Sequence, residues 1–417
     1  MADIHRLEVQ LTNALSNLER SSLSVANRKA IKDFVDDGLA RGLSNGRVLK
    51  YLTVMKRMGE LLAKDFGKAR KEDIQRIVRQ VETSGYADWT KHDFKAVLKT
   101  FYKWLRNYEL GFPEEVRWIK TTMKGGKQSK LPEELLTEED ILRMLDVAYH
   151  ARDKAFVHVL YESACRVGEI LTLKIKTVQF DKYGAQIIVS GKTGMRRVRL
   201  VSSVPSLAAW LSSHPFRDNP SAALWISIAT NGNSEPLGYG GAVQLLRDIA
   251  RRAGVKKRVH PHLFRHSRLT ELAKAGIGES ILKEFAGWTQ GSAQPAIYIH
   301  LSGKNVDTAL LRFNGIQSEE TKEESKLKPK HCSRCRTTND ANSKFCSSCG
   351  APLDVVTALD LDHKVHQALE VEEKVDVTRV QEELREIQEE LLRLRLASAT
   401  ERISERSALK SVSKRTL

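Results

Sequence analysis

The stretch HPHLFRHS, residues 260–267, places three histidines and one arginine in eight positions, with Leu263 and Phe264 between His262 and Arg265. The helix it begins continues through Leu269, Leu272 and Ala273, and Gly276-Ile277-Gly278 breaks it. SILKEFAG (280–287) starts another helical turn, with Ile281, Leu282 and Phe285 expected to face inward. In GWTQGSAQPAIYIHLSG (287–303), Trp288 precedes Tyr298, and Pro295 suits the start of a short helix presenting the tyrosine hydroxyl. Alone, the first stretch reads equally as a basic helix start on a surface or as half of an active site.

Two upstream segments weigh on that choice. In ESACRVGEILTLKI (162–175), Arg166 sits between a helical stretch carrying Val157, Leu160, Tyr161 and Ala164 and another carrying Ile170, Leu171 and Leu173. An arginine at such a turn can project into a cleft, and Glu169, three residues on, can steady its guanidinium. AQIIVSGKTGMRRVRLV (185–201) has two β-rich arms around a Gly-Lys-Thr-Gly turn, a hairpin that puts Lys192 at its tip. Arg196, Arg197 and Arg199 follow, and Arg196 or Arg197 could share the place of Lys192 if the register drifts.

The whole chain bounds the answer. Its 417 residues, 41% hydrophobic and 29% charged, allow two or three folded domains. The formal charge of +16 fits a polyanionic partner, of which nucleic acid is the usual one. No run of about 18 apolar residues suggests a membrane span, and MADIHRLEVQLTN lacks the apolar core of a secretory signal. The cytoplasm and its nucleoid are the expected site of action.

Residues 1–125 read as a helical domain able to clamp DNA. AIKDFVDDGLARGLS, RVLKYLTVMKRMGELLAKDF and FKAVLKTFYKWLRN all carry apolar residues at three- and four-residue spacing. In the second, Leu49, Leu52, Met55, Leu61 and Leu62 supply the expected core side. Gly125 to Ser129 form a polar link, and Thr137 with Glu138 and Glu139 restarts a helix. A mixed α/β domain is expected over 131–316. The charged stretch QSEETKEESKLKPK (317–330) marks the next linker.

Five cysteines are unevenly placed: Cys165 alone, read as a buried thiol, and Cys332, Cys335, Cys346 and Cys349 together. Two C-x2-C pairs ten residues apart are a strong pattern for structural zinc, with rubredoxin-like iron the competing metal. A ribbon over 328–354 is too short for an apolar core, so the metal would supply its folding energy. Val377, Val380, Leu384, Ile387, Leu391 and Leu394 alternate by three and four within an amphipathic, coiled-coil-like helix at 372–398. The basic residues 399–417 read as disordered.

ACRVGEILTLKI, SGKTGMRRVRLV, HLFRHS and AGW…YIHLSG together resemble the tyrosine recombinase family, the phage-integrase type, across about residues 15–315. The Trp288 variant with its YIHLSG ending looks most like archaeal members. The resemblance implies an α+β, mostly helical fold with a SAM-like core-binding domain before the catalytic domain; the zinc ribbon and C-terminal helix lie beyond what it covers. It also implies catalytic residues Arg166, Lys192, His262, Arg265, Trp288 and the nucleophile Tyr298. The residue types agree with that chemistry. Two arginines can neutralise charge growing on a phosphate, and a tyrosine is a covalent nucleophile needing a proton acceptor. His262 is the candidate for that transfer and Lys192 for the acid at the leaving 5′ oxygen, while Trp288 can only donate. His260, His266 and His300 read as DNA-facing or structural residues.

By the same resemblance the protein would bind double-stranded DNA at an inverted-repeat site, as a homodimer on DNA and a homotetramer in synapsis, with accessory proteins. It would cleave and rejoin strands through a 3′-phosphotyrosine without ATP or a divalent metal. The segment 303–316 would dock on a neighbouring protomer. Integration of a viral or plasmid element is the favoured role. The rivals are a chromosome-dimer-resolving recombinase, a type IB topoisomerase and a non-catalytic DNA-binding regulator of the same fold.

Overall fold

The computed structural model describes residues 4–121, 132–191, 193–228, 234–296, 298, 325–374, 380–396 and 398. Two units are distinguished: Met1–Pro329 with Asp340–Asn342, and Lys330–Asn339 with Ser343–Leu417. No helix among the described residues is long and apolar enough to cross a membrane.

The N-terminal part of the first unit is helical, as its periodicity indicates: α1 (Leu7–Glu19), α2 (Val25–Ala40), α3 (Asn45–Leu62), α4 (Lys71–Thr83), α5 (Asp88–Leu105) and the short α6 (Glu114–Arg117). These helices share one core, centred on Phe34, Met55, Phe66 and Phe101. Along α3 the buried positions are Val48, Leu52, Val54, Met55, Met58, Gly59 and Leu62, while Leu49 and Leu61 are only half-buried. The stripe is thus rotated slightly from the one expected, with Met58 inside it and Leu49 and Leu61 packed at its margin.

From residue 132 a second core takes over. Thr137 caps α7 (Glu138–Asp146) in a reciprocal pair: its hydroxyl accepts from the Asp140 N–H, and the Asp140 carboxylate accepts from the Thr137 N–H. Helix α8 (Ala151–Ser163) is buried from Ala155 through Ser163. Such all-round burial marks a central helix, and α7, α10 (Val204–Ser212), α12 (Pro261–Lys274) and the sheet pack around it. Trp210 and Phe156 are among its fully buried neighbours and members, and burying each such ring is worth about 2 kcal/mol. Between them run α9 (Val167–Leu171) and the antiparallel sheet β1 (Val178–Asp181), β2 (Gly184–Gly191), β3 (Gly194–Leu200). The expected hairpin is present; β1 is a third strand that four residues of mixed burial did not announce. Helices α11 (Tyr239–Arg252) and α13 (Glu279–Ala286) complete the described part of the domain, which is α+β and mostly helical.

The register of the hairpin decides which arginine turns inward. Val189 pairs with Arg196 and Ile187 with Val198, so residues 196, 198 and 200 line the inner face while Met195 and Arg197 point out. On α13, Leu282 and Ala286 are buried four residues apart, which places Ile281 on the outer side at 61% exposure. That corrects the inward reading of Ile281; Phe285 is half-buried.

In the second unit, two short strands β4 (Lys330–His331) and β5 (Thr338–Asn339) pair antiparallel beside the cysteines. A helix α14 (Val355–Lys374) follows, where only a segment from 372 was expected to be helical, and residues 380–396 are again helical. Val377 and the segments 303–316 and 399–417 lie outside the described residues.

The turn from β3 into α10 hangs on one carboxylate. Glu162, 6% exposed, accepts from the N–H groups of Val201, Ser202 and Ser203 at 2.8 Å and from the Ser203 hydroxyl at 2.6 Å. Replacing it leaves the buried N–H and hydroxyl of Ser203, and the N–H groups of Val201 and Ser202, without this partner. Glu162→Ala is therefore expected to lower unfolding free energy by about 3 kcal/mol, read from urea melts of the two proteins.

Candidate active site and metal centre

Helix α8 ends at Ala164, whose φ of 47° is left-handed and turns the chain sharply into Cys165 and Arg166. Arg166 is the N-cap of α9, and Glu169 in the first turn accepts from both its backbone N–H at 3.0 Å and its Nη1 at 2.9 Å. The anticipated steadying contact is thus present. The same carboxylate also accepts from Arg196 on β3, at 2.9 Å from Nη2 and 3.2 Å from Nη1. Glu169 is 4% exposed. Burial by itself raises its pKa, but bonds from Arg196 and then Arg166 outweigh that and hold it below the ordinary carboxylate range.

Two glycines let the surrounding backbone close on this clasp. A Cβ on Gly191 would collide with the Glu169 carboxylate, and one on Gly287 would lie 2.6 Å from Arg196 Nη1. Gly287 also has φ +63°, the left-handed end of α13. Its carbonyl accepts from Thr193 in the hairpin loop at 3.0 Å, and Arg196 Nε donates to the Phe285 carbonyl at 3.1 Å. The remaining contact of Arg196 is Cys165 Sγ at 3.4 Å. Cys165 is a buried thiol as expected, pushed up to about 11 mainly by burial.

Arg265 lies on α12, 5% exposed. Its guanidinium donates to the carbonyls of Ala164 at 2.7 Å and Ala286 at 2.8 Å, and its carbon lies 5.2 Å from the Trp288 ring centre. No carboxylate pairs with it among the described residues. Burial and then the charge of nearby Arg166 pull its pKa down to about 10, so it stays charged at neutral pH at a cost.

Tyr298 is 2% exposed and its ring is stacked between Trp288 (5.5 Å between centres) and His266 (5.7 Å). Burial raises its pKa, and the Arg265 charge opposes that. Its hydroxyl is 2.7 Å from His266 Nδ1. With the ring proton on Nε2, Nδ1 accepts the phenolic hydrogen. His262, exposed at the start of α12, has its ring centre 6.5 Å from that of His266.

The described residues therefore bring together Arg166, Arg265, Trp288 and Tyr298, with His262 one helical turn from His266. Lys192 lies outside the described residues. His266 is the neighbour of the tyrosine that sequence reasoning passed over. Its signal was the four-residue spacing from His262, which sets both rings on one helix face. Arg196 was noted only as a stand-in for Lys192; its bond to Glu169 follows from the strand register.

In the second unit, the Sγ atoms of Cys332, Cys335, Cys346 and Cys349 all lie within 4.8 Å of one another, with Cys332–Cys349 at 3.6 Å and Cys335–Cys346 at 3.5 Å. Tetrahedral zinc with Zn–S bonds of about 2.3 Å needs sulfurs about 3.8 Å apart. The donor set and its spacing fit a structural zinc ion, and four thiolates leave no open position for catalysis.

Residues 134–305 match the phage integrase family, and residues 331–353 match a zinc-ribbon domain. Residues 134–305 thus carry a phage-integrase-type domain, and the chain is similar to tyrosine recombinases, enzymes of site-specific recombination. Among its relatives, tyrosine recombinase XerA of Pyrococcus furiosus is 28% identical over 251 residues, covering 59% of this chain and 82% of the relative. Tyrosine recombinase XerD of Bifidobacterium longum is 22% identical, over 56% of this chain and 78% of the relative. Similar folds include XerH bound to a palindromic difH substrate (TM-score 0.54, 18% identity, 74% of this chain and 89% of that one). The Tn1549 transposon integrase in complex with circular intermediate DNA is another (TM-score 0.54, 16% identity, 69% and 99%).

Glu169→Gln keeps the shape of the clasp and removes its charge. It is expected to destabilise the protein by about 3 kcal/mol near neutral pH, measured by urea unfolding. Because the folded pKa of Glu169 is depressed, this contribution is full above the ordinary carboxylate range. The gap between wild type and variant should close as pH falls through the depressed value. Separately, Cys335→Ser should cost the protein its zinc, read by metal analysis of the purified chain, and expose the ribbon to protease.

Proposed function

We propose that Tyr298 is the nucleophile of metal-independent strand cleavage and joining on double-stranded DNA. The observation that carries this reading is the buried tyrosine hydroxyl hydrogen-bonded to His266 beside Arg265, an arginine with no carboxylate partner among the described residues. A packed core tyrosine needs neither neighbour. Arg166 and Arg265 would hold the non-bridging oxygens of the scissile phosphate, with the Trp288 indole N–H as a further donor.

The chemistry runs in two balanced steps. The Tyr298 oxygen attacks phosphorus, the bond to the 5′ oxygen breaks, and that oxygen takes a proton from Lys192, the acid implied by the resemblance. The phenolic proton passes to the imidazole pair of α12: His266 accepts its hydrogen bond at rest, and His262 is the acceptor the resemblance implies. A 5′ hydroxyl of another strand then attacks the phosphotyrosine and gives its proton to Lys192, the tyrosine–phosphorus bond breaks, and the phenol regains its proton from the imidazole pair. One ester replaces another, so no ATP is consumed.

DNA as substrate is supported by the net charge of +16 and by the DNA complexes of structurally similar recombinases. Two protomers on an inverted repeat and four in synapsis follow by resemblance. Integration and excision of a mobile element is the favoured role, in keeping with the fold shared with a transposon integrase and with the added ribbon and tail. Chromosome-dimer resolution is the second reading, favoured by the Xer relatives.

The test is a nicked suicide duplex carrying the candidate site, incubated without magnesium. Wild type should give an SDS-resistant protein–DNA band and Tyr298→Phe none, with both binding the duplex. Binding without any adduct from wild type would leave a DNA-binding regulator instead. Sequencing the joints formed in cells separates element integration from dimer resolution.

A further inference from the structure

The helix at 380–396 carries an apolar seam that its own chain leaves in solvent: Val380, Leu384, Ile387, Leu391 and Leu394 are 47%, 53%, 58%, 52% and 63% exposed. They recur at intervals of four, three, four and three, the heptad spacing of a helix that packs against its like. Placing Leu384 and Leu391 at a fixes Val380, Ile387 and Leu394 at d. Glu383 and Glu390 then occupy g, and Gln381, Gln388 and Arg395 occupy e.

We propose that this helix is a self-assembly module that joins four copies of the chain in a parallel coiled coil. The orientation comes from the charges flanking the seam. In a parallel bundle each g residue faces the e residue five positions on in its neighbour, which sets Glu390 against Arg395 and Glu383 against the neutral Gln388. An antiparallel arrangement would set the g flanks against each other, stacking Glu383 and Glu390 on their own counterparts, and like charges across such a seam repel.

The number of copies comes from side-chain shape. Parallel pairs favour β-branched residues at a and leucine at d, whereas leucine at a with isoleucine at d favours larger bundles. Within 380–394 leucine holds both a positions and the β-branched Val380 and Ile387 hold two of the three d positions. The seam from 380 to 394 is only about 22 Å long. Short helices are marginal alone, so the association is weak and rises steeply with local concentration. It needs neither DNA nor the tyrosine, so it stands or falls apart from the strand-cleavage reading.

The test is sedimentation of the full-length zinc-loaded protein without DNA, over a wide concentration range. Wild type should move from one to four times the mass of the chain. Leu384→Glu with Leu391→Glu should stay monomeric at every concentration while circular dichroism shows the rest of the fold intact. Exchanging the seam to the pair-forming pattern, with Leu384→Ile, Leu391→Ile, Val380→Leu and Ile387→Leu, should stop assembly at twice the chain mass. Glu390→Arg should weaken assembly and a second change, Arg395→Glu, should restore it. A wild type that remains monomeric, or a double glutamate variant that assembles as wild type does, overturns the module. Assembly strengthened by Glu390→Arg alone overturns the parallel orientation, and a final mass unaltered by the seam exchange overturns the four-copy state.

Discussion

The Glu169 carboxylate is the contact on which the rest of the site depends. It is buried, it caps its own helix, and it holds an arginine from that helix and another from the β-hairpin. Removing a charged group from water is costly unless partners surround it; here two guanidiniums and a backbone N–H do so. Their geometry in turn fixes where β3 meets α9, and Gly191 and Gly287 leave the space that the clasp occupies. Through Phe285 and Gly287 the hairpin is tied to the end of α13, just before Trp288. A single acid thus fixes where the hairpin, 27 residues on, meets α9, and the hairpin in turn reaches Gly287, 94 residues beyond Thr193.

That arrangement explains which parts of the site were legible beforehand and which were not. Local patterns carry their own geometry: the Arg166–Glu169 spacing is one helical turn, the Gly-Lys-Thr-Gly turn forces a hairpin, and two C-x2-C pairs demand a metal. The order of these blocks along the chain sufficed to recognise the family. Arg196 was ambiguous because side chains alternate across a strand, so a one-residue slip exchanges Arg196 for Arg197; only the pairing of Val189 with Arg196 resolves it. His266 was passed over because its partner, Tyr298, is distant in sequence and nothing local announces the contact. Ile281 was misplaced for a related reason. On an eight-residue helix the inward face is chosen by what packs against it, and Leu282 and Ala286 fill that place.

The two units use different sources of stability. The core around α8 buries whole aromatic rings, and its buried Glu162 carboxylate is surrounded by donors. The ribbon has two strands of two residues each and no comparable core. Its order depends on the metal holding four thiolates that would otherwise be free to repel one another.

The charge of Arg265, which no carboxylate pairs among the described residues, fits a site whose ligand is an anion. Arg166, Arg196 and Arg265 converge on a region in which Glu169 is their shared counter-charge, and Arg265 is left with carbonyls and an aromatic face. Its lowered pKa is the cost of holding a guanidinium out of water beside another. On the proposed reading, a phosphate oxyanion entering there would relieve that cost, and more so as charge accumulates on its oxygens during attack. Because Ala164 and Ala286 fix two of the N–H bonds in advance, little reorganisation is needed when that charge develops. The folding energy of the surrounding core has already oriented the dipoles, which is how a protein can stabilise a phosphorane-like state with side chains where other enzymes use a metal ion.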